Sequence, residues 1–134
     1  DADALQPDLV GLGNAPRILT PHAGEWARLK LTESELPEDW TVVQKGPITR
    51  ILHQGATYHA IEGGPVLARG GSGDMLAGLI GGRLAVAPDQ VGAAAAQGAY
   101  WHGCASRRLA EQKGEVAVRN AALIDQLNPV LREG

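Results

Sequence analysis

Apolar residues recur along this chain at two periods, and the changes of period divide it into elements. Leu5, Leu9 and Leu12 fall at helical spacing, interrupted by Pro7 and closed by Gly11 and Gly13, which predicts a short helix or helical turn over residues 3 to 12. Arg17-Ile18-Leu19-Thr20 reads as a brief strand. Thr20 before Pro21 has the form of a capping residue followed by proline at the first helical position, and Trp26 and Leu29 supply the buried side of the helix expected next. Residues 30 to 39 are charged, aperiodic and interrupted by Pro37, so they read as a loop. Thr41-Val42-Val43-Gln44-Lys45 reads as a buried strand. Ile48 to His53, Ala56 to Ala60 and Pro65 to Ala68 follow as short strands separated by glycine, the pattern of antiparallel hairpins at a sheet edge.

From Asp74 onward the period is helical. Leu76, Leu79, Ile80 and Leu84 lie on one face, and Gly78, Gly81 and Gly82 would let a neighbouring backbone approach. Pro88 and Asp89 have the form of a second helix start, with Gly114 stopping that helix near Gln112. Asn120 is a capping candidate for a last helix through Leu131, whose end Pro129 should disrupt. Strands that give way to helices predict an α/β domain spanning residues 1 to 134.

Composition narrows the class. With 44% hydrophobic and 20% charged residues, and no apolar run of bilayer length, the chain reads as a soluble globular domain. A net charge of −3 with scattered basic residues argues against a nucleic-acid surface. Cys104 is the only cysteine, which excludes an intrachain disulfide and a cysteine-rich zinc site and suits a reducing cytoplasm. It reads as a small core residue in an alanine-rich helix.

The chemistry concentrates in Gly70-Gly71-Ser72-Gly73-Asp74. Glycines let successive backbone N–H groups converge on an anion, and the following helix adds its positive dipole end. Asp74 then stands where it stays ionised and can take a proton from a hydroxyl. A capped flexible turn is the plain alternative for such a pentapeptide. Lys45 ends a strand before Gly46, so its ammonium and adjacent backbone can meet phosphate, although a strand-end lysine is commonly just a solvated charge. His22, at a helix start, can hydrogen-bond a polar substrate or serve as a cap. Glu25, one turn on, suits the helix dipole. Trp101 reads as a core residue of the long helix and His102 as a packed or partly exposed one, and Asp1 and Asp3 read as a solvated acidic terminus in preference to a place near phosphate or metal.

Four ordered segments carry a resemblance: Asp1-Ala2-Asp3-Ala4-Leu5, Thr20-Pro21-His22-Ala23-Gly24-Glu25, Lys45-Gly46-Pro47-Ile48-Thr49, and Ala68 through Gly78 around the glycine run. Together they resemble the ribokinase-like NAD(P)H-hydrate dehydratases. The resemblance implies a three-layer sandwich, of which this chain matches the C-terminal half, and repair of hydrated NADH and NADPH at the expense of ADP or ATP, with Mg²⁺. A nucleotide phosphorylates the substrate hydroxyl, and phosphate then leaves. Asp74 would be the base, and the N–H groups of Gly71, Ser72 and Gly73 an anion hole. By the same resemblance His22 and Asp74 contact the hydrated dinucleotide. Lys45, Gly46, Pro47, Ile48, Thr49 and Gly73 contact the adenosine nucleotide, and Glu25 organises metal and phosphate, directly or indirectly.

The sequence departs from the family pattern at Ala23, where proline is usual, at Pro47-Ile48, where a small pair is usual, and at Arg69 before the glycines. Residues 30 to 39 stand where a longer helix is usual, and the family domain is about twice this length. The expectation is therefore a fragment of a longer polypeptide or a homo-oligomer, since the strand near Ile18 would otherwise present an unpaired edge. Two other readings stay open: a kinase of a small alcohol such as a vitamin precursor or sugar, and a catalytically incomplete nucleotide-binding module.

Overall fold

The computed structural model describes residues 1–115 and 119–133. After a 3₁₀ turn at Ala2–Ala4 come α1 (Pro7–Val10), β1 (Arg17–Leu19) and α2 (Ala23–Leu29). The sheet continues through β2 (Trp40–Gln44), β3 (Thr49–His53) and β4 (Ala56–Ala60), and the chain ends in α3 (Ser72–Val86), α4 (Val91–Lys113) and α5 (Asn120–Glu133). Strand order is β1-β2-β3-β4, with β1 and β2 parallel and the two later pairings antiparallel.

Alternation along β2 sends side chains to both faces of the sheet. Val42 joins Leu52, Leu19, Trp40 and Leu29 in a cluster under α1 and α2, with Leu5 and Val10. Val43 joins Ile51 and Ala60 in a second cluster, against Leu76 and Ile80 of α3 and Ala95 and Ala99 of α4. Val42, Val43 and Ile51 are fully buried, each burial stabilising by roughly 1.5–3 kcal/mol. Helices on both faces of one sheet make the expected three-layer α/β sandwich. A third cluster, with Leu109, Leu123 and Val130, joins α5 to α4.

Several elements differ from the expectation. Residues 3 to 12 split into the 3₁₀ turn and the four-residue α1. His22, not Thr20, caps α2; Thr20 and Pro21 are buried before it, and Thr20 Oγ1 has no partner. The loop over residues 30 to 39 holds one 3₁₀ turn, Glu33–Glu35, closed by a Thr32–Glu35 capping box. Pro65–Leu67 is a 3₁₀ turn instead of a strand, because Pro65 sets its start and Val66 turns inward to the third cluster. The hairpin region is thus β2-β3-β4 alone.

Helix α4 begins at Val91, two residues after Asp89. Helix α5 continues through Pro129 to Glu133, since Leu123, Leu127 and Val130 are held against α4 by packing that outweighs the lost donor. The close-approach glycines are also elsewhere than expected. Gly78, Gly81 and Gly82 have nothing within 4 Å of where a Cβ would stand. Gly98 instead lies 2.7 Å from Ile80 by that measure, and Gly103 is pressed on the backbone of Glu62. Glycine on α4 rather than α3 brings those two helices together.

Candidate active site

The parallel strands β1 and β2 place their carboxyl ends side by side, the usual position for a ligand site in an α/β sheet. A bridge between His22 and Lys45 continues that register past both strand ends, and Lys45 N–H donates to the Pro21 carbonyl at 2.7 Å. Two segments 23 residues apart in sequence therefore deliver their motif side chains to one edge.

A reciprocal cap fixes His22. Its Nδ1 accepts from Gly24 N–H at 3.0 Å and Glu25 N–H at 3.2 Å, while Glu25 Oε2 accepts from His22 N–H at 2.7 Å. With Nδ1 serving as acceptor, Nε2 is the donor nitrogen; it stands 3.5 Å from Glu25 Oε1, and the His22 side chain is 60% exposed. Glu25 is buried, and its Oε2 also lies 3.6 Å from Lys45 Nζ. Burial pushes the Glu25 carboxyl up, but the His22 N–H and the Lys45 ammonium more than offset this and hold it below its usual value.

Lys45 is not a solvated charge. Its Nζ donates to Asp1 Oδ1 at 2.9 Å, with the two side chains only 23% and 18% exposed. Asp1 is thus paired with a lysine that lines the cavity described below, rather than being the solvated terminus the sequence suggests. Their separation of 44 residues leaves no local signal that could have found the pair. A Cβ on Gly73 would stand 3.2 Å from both Lys45 Nζ and Asp1 Oδ2, so glycine is what lets the start of α3 sit against this ion pair.

The glycine run performs the turn expected of it. Gly71 has φ +85 and precedes the first residue of α3, and Asn120 from α5 donates its amide to the Gly70 carbonyl. The last helix therefore ties down the loop. Ser72 N–H is taken by the Arg69 carbonyl at 3.3 Å, so Ser72 offers the site its hydroxyl more than its amide. A helix starting here leaves the N–H groups of Gly73 and Asp74 without intrahelical acceptors, which is the anion-binding arrangement.

Between these elements lies a cavity of about 620 Å³, lined by His22, Lys45, Gly46, Pro47, Thr49, Ser72, Gly73 and His102 and by Pro65 and Leu67 of the third 3₁₀ turn. Its size falls in the range of small-ligand sites, and Pro47, Pro65, Leu67 and Leu76 give it apolar walls. The structure thus brings together most residues of the predicted site. Ile48 is 51% exposed and outside the lining. Asp74 is also outside it, exposed on the first turn of α3. Glu25 stands behind Lys45, and among the described residues no three metal-ligating side chains cluster.

Sequence reasoning missed His102. It is 5% exposed, lines the cavity, and holds Nε2 at 3.3 Å from Ser72 Oγ. Burial, aided by the Lys45 charge and opposed by a hydrogen bond to the Ser72 backbone, pushes this imidazole down to about 4. It is therefore neutral at pH 7. The only sequence signal was its place four residues after Gly98, on the packed face of α4.

A sandwich with a glycine-lined helix start at the ends of parallel strands, beside a lysine-bearing apolar cavity, is the ribokinase-like α/β architecture. The family model for NAD(P)H-hydrate dehydratases matches residues 1–129, and the chain belongs to that family. It is 40% identical over 153 aligned positions to the bifunctional NAD(P)H-hydrate repair enzyme of Moorella thermoacetica, covering 98% of this chain and 28% of that protein. It is 36% identical over 131 positions to the ADP-dependent (S)-NAD(P)H-hydrate dehydratase of Xanthomonas campestris, covering 87% and 45%. Among solved structures, the ADP/ATP-dependent NAD(P)H-hydrate dehydratase of Bacillus subtilis, co-crystallized with ATP/Mg²⁺ and soaked with CoA, superimposes with a TM-score of 0.76 at 26% identity. That match covers 89% of this chain and 53% of the other, so the chain spans about half of that structure and less than half of either curated relative.

Proposed function

We propose that this chain carries the nucleotide and phosphoryl-transfer part of an NAD(P)H-hydrate dehydratase. The observation that supports this best is the single cavity in which the Lys45–Thr49 segment, His22 and the glycine loop meet. ADP or ATP fits it: the apolar walls receive the nucleoside, Lys45 and the backbone after it receive phosphate, and the start of α3 receives the phosphoryl group being transferred. Mg²⁺ arrives with the nucleotide, since Asp1 and Glu25 are already turned onto Lys45. The N–H groups of Gly71 and Gly73 and the hydroxyl of Ser72, whose own N–H is taken by Arg69, form the anion hole.

The bound nucleotide supplies the phosphoryl group that turns the hydroxyl of hydrated NADH or NADPH into a leaving group. Asp74 takes the proton of that hydroxyl, and His22, through Nε2, orients the dinucleotide. The exposure of Asp74 suits this role, because the substrate must reach it from outside the nucleotide cavity. The decisive assay measures phosphate release from ADP and from ATP with hydrated NADH present, together with recovery of NADH absorbance, on the parent chain and Asp74→Asn. Turnover lost in Asp74→Asn is the expected result. Turnover that survives refutes the assignment of the base, and nucleotide binding without turnover in the parent chain favours a binding module.

A further inference from the structure

His102 is a buried titratable group with no part in the reaction just described, and its position is unusually constrained. One turn before it, Gly98 lets α4 approach Ile80 of α3; directly after it, Gly103 rests on the Glu62 backbone. The imidazole is thereby fixed in depth and rotation, and its Nε2 meets the Ser72 hydroxyl, itself 4% exposed, at 3.3 Å. Lys45, His22 and Arg69 are the other titratable side chains lining this cavity.

We propose that His102 is a positioning residue for the glycine loop: its Nε2–H donates to Ser72 Oγ, leaving the hydroxyl proton to point at the transferring phosphoryl group. This rests on the phosphoryl-transfer reading above. A hydroxyl has one proton and two lone pairs, and a neutral imidazole one donor and one acceptor nitrogen. If Nε2 accepted, Ser72 would spend its proton inward and turn only lone pairs toward an anion. If Nε2–H donates, Ser72 becomes one more donor of the anion hole. An incoming phosphate selects the second arrangement, and the neutral ring supplies it without adding a second charge beside Lys45.

The test is ATP affinity, measured calorimetrically with Mg²⁺ on the parent chain, His102→Gln, His102→Leu, Ser72→Ala and the Ser72→Ala/His102→Leu pair. Glutamine places an N–H near the position of Nε2 and leucine does not. The expected result is about tenfold weaker binding in His102→Leu, parent-like binding within about twofold in His102→Gln, and no further loss on adding His102→Leu to Ser72→Ala. Equal loss in both backgrounds, or none in the parent background, overturns the proposal. A parent chain that binds no ATP overturns the nucleotide reading and this one with it, so the two failures are distinguishable. Should His102→Leu not fold, nitrogen-15 spectra of the parent imidazole decide: a neutral Nε2–H ring at pH 6 whose Nε2 signal moves in Ser72→Ala supports the proposal, and a ring insensitive to Ser72→Ala contradicts it.

Discussion

The two sides of α3's first turn are built differently. Toward the sheet, Gly73 lies against the Lys45–Asp1 pair, Ser72 is buried against His102, and Glu25 and His22 are locked by a reciprocal cap. Outward, Asp74 is exposed, and farther along the same helix Gly78, Gly81 and Gly82 face open space. One side is held by interlocking contacts from four elements, whereas the other rests on the helix alone. Binding and positioning thus belong to the packed side, and the reacting group stands on the side a second molecule can reach.

The largest effect expected from this contrast is on turnover. Asp74→Asn should cut the rate of NADH recovery by roughly 10²–10⁴, the usual worth of a general base, while the thermal midpoint stays within a degree or two, about what an exposed substitution allows. A midpoint that falls with the rate would show that Asp74 is tied into the packed side after all.

Next is a pH effect confined to the packed side. The His102 imidazole is pushed from 6.5 in the unfolded chain down to about 4 in the fold, so between those values the unfolded chain binds the extra proton. Stability should fall as pH drops through that window and level off below it, by on the order of 3 kcal/mol. Denaturant unfolding at several pH values, on the parent chain and His102→Gln, reads this out. A glutamine variant with an unchanged slope would contradict the assignment to His102.

Smaller again is the contrast between two glycines. Gly103→Ala forces a Cβ into the Glu62 backbone and should destabilise by about 1–3 kcal/mol. Gly78→Ala, on an exposed helical face, should stabilise by about 0.5–1 kcal/mol. Thermal unfolding of both variants checks the sign. Destabilisation by Gly78→Ala would mean that the outward face of α3 is covered.

Much of this was legible in the sequence. The strands of the sheet announce themselves through β-branched runs cut by glycine, and the glycine loop, His22 and Lys45 carry their chemistry in short segments. Other features were hidden because they depend on residues far apart. Pro65 and Pro129 are helix or strand breakers locally, yet the inward burial of Val66, Leu123 and Val130 decides their surroundings. Asp1 reads as a loose terminus until Lys45 is brought beside it. His102 sits in an alanine-rich helix with no motif of its own, and only the crossing of α4 over α3 gives it Ser72 as a partner. Glycine patterns alone also misplace the close contact, since spacing does not say which helix face is covered.

The central claim is that nucleotide affinity belongs to the packed side and reaction to the exposed one. It is tested most directly by the ATP affinities of Lys45→Ala and Asp74→Asn, measured side by side with Mg²⁺. The account predicts at least about tenfold weaker binding in Lys45→Ala, the loss of one charge-assisted phosphate contact, and unchanged or tighter binding in Asp74→Asn, which removes a negative charge near the phosphates. Binding that survives in Lys45→Ala and fails in Asp74→Asn would contradict it.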